Sequence, residues 1–189
     1  MESAAERIVQ KCVQANLIDE DQREWLLYSL QRRFTNLSGF LVLICLGILV
    51  APFSQVLLLN LGLAFLREKT NGLHMPTRLS CFVFSLVCEY LCLFALRRMG
   101  SALSVISLFL LLLSSLLILW LAPCNNSEIH CSDEEMQAMR RAVHKRLALY
   151  GLFLAAFWVL APGLVNPLLM AETAVALLVV LAKIGVGIH

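Results

Sequence analysis

Residues 40–66 read FLVLICLGILVAPFSQVLLLNLGLAFL, a tract without a single charged side chain. A helix needs about 20 apolar residues to cross a bilayer, so this tract is too long for one crossing and short for two. Pro52, between Ala51 and Phe53, lacks the backbone donor a helix interior requires and breaks the tract near its middle. The pattern predicts two short spans, roughly 37–51 and 53–66, joined by a tight turn. A re-entrant hairpin is the alternative, because helices this short can fail to match the bilayer thickness.

Working outward, further apolar tracts predict spans at about 80–96, 101–122, 147–161 and 166–187. The expected fold is all-α: a polytopic transmembrane helical bundle of about six membrane segments. Of the 189 residues, 60% are hydrophobic and only 15% charged, against about 25% charged in soluble domains. Such a chain cannot cover itself with polar surface, so lipid is part of its solvent. The N-terminal stretch is different in kind. Glu2, Glu6, Arg7, Lys11, Asp19, Glu20, Asp21, Arg23 and Glu24 leave no room for the apolar core of a signal peptide. Ile8, Val9, Cys12, Val13 and Leu17 recur at helical spacing, as do Trp25, Leu26, Tyr28, Leu30 and Phe34. Two amphipathic helices over 3–15 and 20–34, lying on the membrane surface, are expected. The domain reading is therefore a cytosolic or interfacial segment 1–35 and a transmembrane domain 36–189. The latter contains a polar loop 67–81 and a cytosolic loop 123–146.

Cationic residues orient the chain. With six crossings and the N-terminus inside, every lysine and arginine except Arg97 and Arg98 falls on the cytosolic side, Lys183 near the C-terminus included. Loop 67–81 stays cytosolic whether the first hairpin crosses or re-enters. Both termini are expected in the cytosol.

That loop reads Arg67-Glu-Lys-Thr-Asn-Gly72-Leu-His74-Met-Pro-Thr-Arg78-Leu-Ser-Cys81. A cysteine works as a nucleophile when a base, a cation or a helix N-terminus supports its anion. Cys81 sits in the first turn of a predicted helix, whose dipole favours negative charge there. His74 lies in the preceding loop, which Gly72 and Pro76 bend, so its imidazole can reach that sulfur and serve as general base and then acid. Arg67 and Lys69 can hold a carboxylate or an oxyanion, and N–H groups at the start of the third span can line an oxyanion hole. Glu68 is the nearest acid for orienting His74, with Thr70 and Asn71 as neutral options. Thr70, Gly72, Arg78 and Ser80 complete the set of substrate-binding, oxyanion or loop-shaping candidates. The bland alternative is a solvated helix-start cysteine and a loop histidine. In that case the chain is a small non-enzymatic membrane transporter or scaffold.

Other features weigh less. Cys88 and Cys92 share a helical face with Cys81 and read as small packing residues. Glu89, in the same apolar span, is an intramembrane ionisable residue and a functional suspect. Pairing with an arginine or orienting a polar group is its expected use. Glu172, alone in the last span, is expected to face a partner helix. Cys124, His130 and Cys131 lack the spacing of a zinc knuckle, so no metal and no cofactor is expected. No basic-aromatic pattern or phosphate loop is present, which excludes nucleic-acid binding from the expected partners.

The run from Arg67 to Cys81 resembles the signature of the accessory gene regulator B (AgrB) family, bacterial membrane endopeptidases that process quorum-sensing pro-peptides. That signature has a basic residue at the loop start, a Gly two before a His, and a Cys seven after it. Asn71 stands where many members have a first Gly. The amphipathic N-terminus, Ala122-Pro123 after the fourth span, and an acidic stretch (Asp133, Glu134, Glu135) followed by a basic one (Arg140, Arg141) extend the resemblance along the chain. It implies a bacterial cytoplasmic-membrane enzyme with Cys81 as nucleophile and His74 as base, acting at the cytosolic face. The implied partner is an amphipathic precursor peptide with an acidic tail. Cys81 would expel that tail and hold a thioester, which an internal Cys or Ser of the precursor closes into a thiolactone or lactone. Arg67, Lys69 and Arg78, and separately Arg140, Arg141, Lys145 and Arg146, offer basic cradles for the tail. A homodimer is the family precedent.

Overall fold

The computed structural model describes residues 2–15, 17–70, 73, 75, 77–99, 105–124 and 132–185. Every regular element among them is helical: α1 (Glu2–Gln14), α2 (Arg23–Gly47), α3 (Phe53–Thr70), α4 (Arg78–Arg98), α5 (Val105–Leu121), α6 (Asp133–Leu160) and α7 (Val165–Lys183). Short 3-10 turns at Glu20–Gln22 and Pro162–Leu164 precede α2 and α7. The chain divides into two compact units, Met1–Leu43 and Ile44–His189, and the division falls inside α2. In the first unit α1 buries Ala5 and Val9, while Leu17, Trp25 and Tyr28 are exposed.

Helix boundaries follow from local chemistry. The break at Pro52 is real: α2 ends at Gly47, and the Pro52 carbonyl accepts from the N–H groups of Gln55 and Val56 to start α3. Separate helices over 20–34 and 37–51 do not form. No proline or glycine pair interrupts residues 23–46, so α2 runs through as one helix. A second correction concerns residues 133–146, expected as loop. Ser132 and Glu135 form a reciprocal capping box, and Asp133, Glu134 and Glu135 sit at the positive end of the helix dipole, so α6 starts at Asp133. Pro167 falls in the first turn of α7, where its missing N–H has no helical partner to lose.

Among the described residues, three helical stretches are long and apolar enough to cross a membrane: Leu79–Arg98, Asp133–Leu160 and Pro162–Lys183; the apolar helix Ile106–Leu121 is shorter. The side-chain distribution has membrane character. Leu79, Val83, Val87, Leu91 and Phe94 form an exposed stripe on α4, whereas Glu89 on the same helix is buried. On α5, Phe109, Leu112, Leu116 and Trp120 point outward and Ser107 and Ser114 are buried. Apolar outside and polar inside is the inverse of a water-soluble bundle, and it places lipid around the helices. The protein is an all-α membrane bundle.

Helix α7 packs against α3, α4, α5 and α6. It contributes Val165, Leu168, Val175, Ala176 and Val179 to one core cluster and Ala171 to a second. Gly62 lets α3 come close at this point. A Cβ there would lie 2.6 Å from the Tyr150 hydroxyl and 2.8 Å from the Ala171 Cβ. The Tyr150 hydroxyl in turn donates to the Leu168 carbonyl at 2.7 Å, tying α6 to α7.

Candidate active site

The loop between α3 and α4 is fastened at both ends. At its end, Thr77 has an extended backbone and its Oγ1 accepts from the Ser80 N–H at 3.1 Å. Ser80 Oγ in return accepts from the Thr77 N–H at 3.2 Å. This capping box satisfies donors that a helix start leaves open. The Cys81 N–H bonds the Thr77 carbonyl at 3.0 Å, which closes the first full turn of α4. Ser85 Oγ donates to the Cys81 carbonyl at 2.9 Å. Cys81 is thereby held half-buried in the opening turn of α4, as a free thiol.

At the other end, Arg67 in the last turn of α3 donates from Nη2 to the carbonyl of buried Leu73 at 2.7 Å. Thr70 Oγ1 donates to the Arg67 carbonyl at 3.4 Å. The Thr70 carbonyl accepts from the Cys124 N–H at 3.1 Å, so the residues after α5 are tied to the end of α3.

The predicted set therefore divides. Arg67, Ser80 and Cys81 frame the α3–α4 loop, together with Thr77, which sequence reasoning did not single out. Glu68 Oε2 lies 2.8 Å from Arg146 Nη2 on α6, and its Oε1 lies 3.8 Å from Lys69 Nζ. Arg146 also donates to the Phe65 carbonyl at 2.7 Å and lies over the Phe65 ring. Of the second basic group, Arg146 is thus engaged with α3, while Arg140, Arg141 and Lys145 are exposed along α6. His74, Gly72, Asn71 and Pro76 lie outside the described residues, as do His130 and Cys131. Arg78 opens α4.

Beneath this region lies a polar contact that sequence reasoning did not pair. Glu89 Oε1 accepts from Asn60 Nδ2 at 2.6 Å, joining α3 to α4 inside the bundle. Gly47 closes over it, since a Cβ there would meet Glu89 Oε1 at 2.8 Å. Of the two uses expected of it, Glu89 thus pairs with a polar group, the Asn60 amide, rather than with an arginine. The sequence carries a partial signal: Asn60 and Gln55 are the two amide side chains in the uncharged tract 40–66. Glu172 does meet a partner helix, accepting from Ser115 on α5. Outside the spans, burial pushes the Cys124 thiol up from its ordinary value, with Lys183 opposing.

Fold and site together define a helical membrane protein with a cysteine locked into the first turn of a helix at the end of a polar loop. The model of accessory gene regulator B matches residues 5–184, and the chain belongs to that family. It is 30% identical over 115 residues to the protein FsrB of Enterococcus faecalis, covering 57% of this chain and 48% of that protein. The chain thus spans about half the length of that curated relative. No solved structure matches it.

Proposed function

We propose that this chain matures a quorum-sensing peptide as a membrane-embedded cysteine endopeptidase, with Cys81 as nucleophile and His74 as general base. Family membership supports the coarse reading, a part in quorum-sensing peptide maturation. The finer reading is supported chiefly by one observation, the fastening of the loop on both sides of His74. The residue directly before His74 is bound by Arg67, and three residues after it the Thr77 cap fixes the turn that carries Cys81. A base and a nucleophile separated by so short a chain, with both flanks immobilised, keep their mutual geometry at little entropic cost.

In this mechanism His74 takes the Cys81 thiol proton as Sγ attacks the carbonyl carbon preceding the precursor's acidic tail. The C–N bond breaks, His74 passes the proton to the leaving amine, and a thioester joins the N-terminal portion to Cys81. An internal thiol or hydroxyl of the precursor then attacks that thioester. The bond to Cys81 breaks, the ring closes, and Cys81 regains its proton. The second step approaches equal energies on both sides when the closing group is a thiol, so water must be kept from the acyl-enzyme. The exposed apolar stripe beginning at Leu79 carries lipid up to the turn that holds Cys81. Arg140, Arg141 and Lys145, exposed on α6, supply positive charge for the acidic tail. The site faces the cytosol in this reading, where the cationic residues gather.

The test is cleavage in proteoliposomes with the precursor peptide encoded beside the gene. Wild type should release the tail, and Cys81→Ala and His74→Ala should release none. Equal behaviour of all three returns the chain to the transporter or scaffold reading.

A further inference from the structure

Helices α5, α6 and α7 border an open cavity of about 240 Å³. It runs along α6 from Leu147 past Gly151 and Leu154 to Trp158, about 16 Å at 1.5 Å per residue. Its wall is apolar apart from Ser107, Ser115 and the carboxyl of Glu172. An apolar cavity of about 150 Å³ admits benzene, so this one has room for more than a single ring.

Three observations give it a direction and a chemistry. First, the lining includes Leu108, Leu112 and Trp158, which are exposed on the outer surface of their helices, while Leu169, Val165 and Glu172 on the opposite wall are buried. The cavity therefore opens toward lipid and closes on α7. Second, a Cβ at Gly151 would meet no described atom within 4 Å, so the α6 wall is not held apart by a side chain at that position. Third, Glu172 is 1% exposed and accepts from Ser115. Two carboxylate oxygens offer about four acceptor sites, so the one serine leaves capacity for a further donor. An ionisable side chain is costly in hydrocarbon and is retained where it has work to do.

We infer that the α5–α6–α7 cavity is a binding site for a single-chain amphiphile drawn from the bilayer. Its apolar body lies along Leu147–Trp158, and its hydroxyl or ammonium group donates to Glu172. This site is separate from the Cys81 loop, and it holds whether or not the chain cleaves peptides.

The experiment uses the full-length protein in proteoliposomes, a diazirine-bearing octanol, and the matching diazirine-bearing octane as control. After photolysis, the labelled peptides are mapped by mass spectrometry. The octanol probe should label α5, α6 and α7 lining residues saturably and be displaced by unlabelled octanol. Gly151→Phe, which fills open space, should lower that labelling by about tenfold. Glu172→Gln should weaken octanol capture several-fold and leave octane labelling unchanged. Melting temperature and circular dichroism of both variants check that the bundle is intact; should Gly151→Phe fail to fold, Gly151→Leu and the Glu172→Gln comparison carry the test. Labelling spread over lipid-facing positions, or octanol capture equal in wild type and Glu172→Gln, would overturn the proposal and leave bulk partitioning only.

Discussion

Arg67 grips the carbonyl of Leu73, 2.7 Å away, and so fixes the backbone immediately before the proposed base. We propose that Arg67 acts as a positioning residue, the loop-shaping role among those the sequence suggests for it. Arg67→Ala leaves a buried carbonyl without its partner, a loss of about 1–3 kcal/mol. Because displacements near 1 Å cost up to about 100-fold in rate, kcat for tail release should fall about 10- to 100-fold with KM little changed. A variant whose KM rises while kcat holds would reassign Arg67 to substrate binding.

Glu68 gives a contrasting expectation. Its carboxylate is 61% exposed and faces Arg146, and an exposed ion pair contributes about 0–1 kcal/mol. Glu68→Gln should therefore lower thermal stability only slightly and tail release less than about threefold. A loss of several hundredfold, with the melting temperature unchanged, would show that Glu68 orients His74.

Stability of the bundle should be sensitive to Asn60 and Gly47. Asn60→Ala removes the donor that meets Glu89 Oε1, and no other described side chain bonds that carboxyl. A loss of about 1–3 kcal/mol is expected, read as a lower melting temperature in detergent. Glu89→Gln keeps an acceptor for Asn60 and should cost less. Gly47→Ala pushes a Cβ to within 2.6 Å of Val56 Cγ1 and 2.8 Å of Glu89 Oε1, and should destabilise comparably.

Gly62 and Tyr150 should be strongly non-additive. Gly62→Ala drives a methyl against the Tyr150 hydroxyl. Tyr150→Phe alone forfeits the bond to the Leu168 carbonyl, worth about 1 kcal/mol. In the double variant the clash with the hydroxyl is gone, so its loss should be smaller than the sum of the singles. Additive losses in a double-mutant cycle would mean that the contact with Ala171 alone sets the spacing.

The thiol of Cys124 supplies a pH dependence. Burial raises its pKa above the ordinary value, so the folded state prefers the neutral form. The corresponding stability is fully present below the free-thiol value of about 8.5 and is lost as pH rises through the raised value. Alkylation of Cys124 in folded protein should accordingly lag a free thiol between pH 8 and 9, and Lys183→Met should widen the lag. A Cys124 that reacts as fast as a model thiol contradicts that burial.

Much of this architecture is legible in the sequence, and the failures have physical causes. The break at Pro52 is readable because a proline inside an apolar tract has few structural outcomes. The opening of α4 is readable too, since Thr77 and Ser80 stand at the cap spacing before an apolar run. The early start of α6 is harder to see, because residues 133–146 are polar and resemble a loop when apolar runs are the guide. Only the Ser132–Glu135 capping box reveals that the helix continues past the apolar part. Partner identities are harder still. Glu68 and Asn60 both find mates on other helices, Arg146 and Glu89, and spacing along one chain segment carries no information about such contacts. The Cys81–His74 spacing announces a chemistry, yet which neighbours serve it depends on how α3, α4 and α6 pack.

The central claim is the covalent role of Cys81, and trapping the acyl-enzyme tests it most directly. Wild-type protein in proteoliposomes is mixed with a precursor whose ring-closing residue is replaced by alanine, then quenched in acid and weighed intact. The account predicts a mass increase equal to the precursor without its tail, removed by hydroxylamine, mapped to Cys81 and absent in Cys81→Ala and His74→Ala. Tail release without any adduct, or an adduct on another residue, would contradict it.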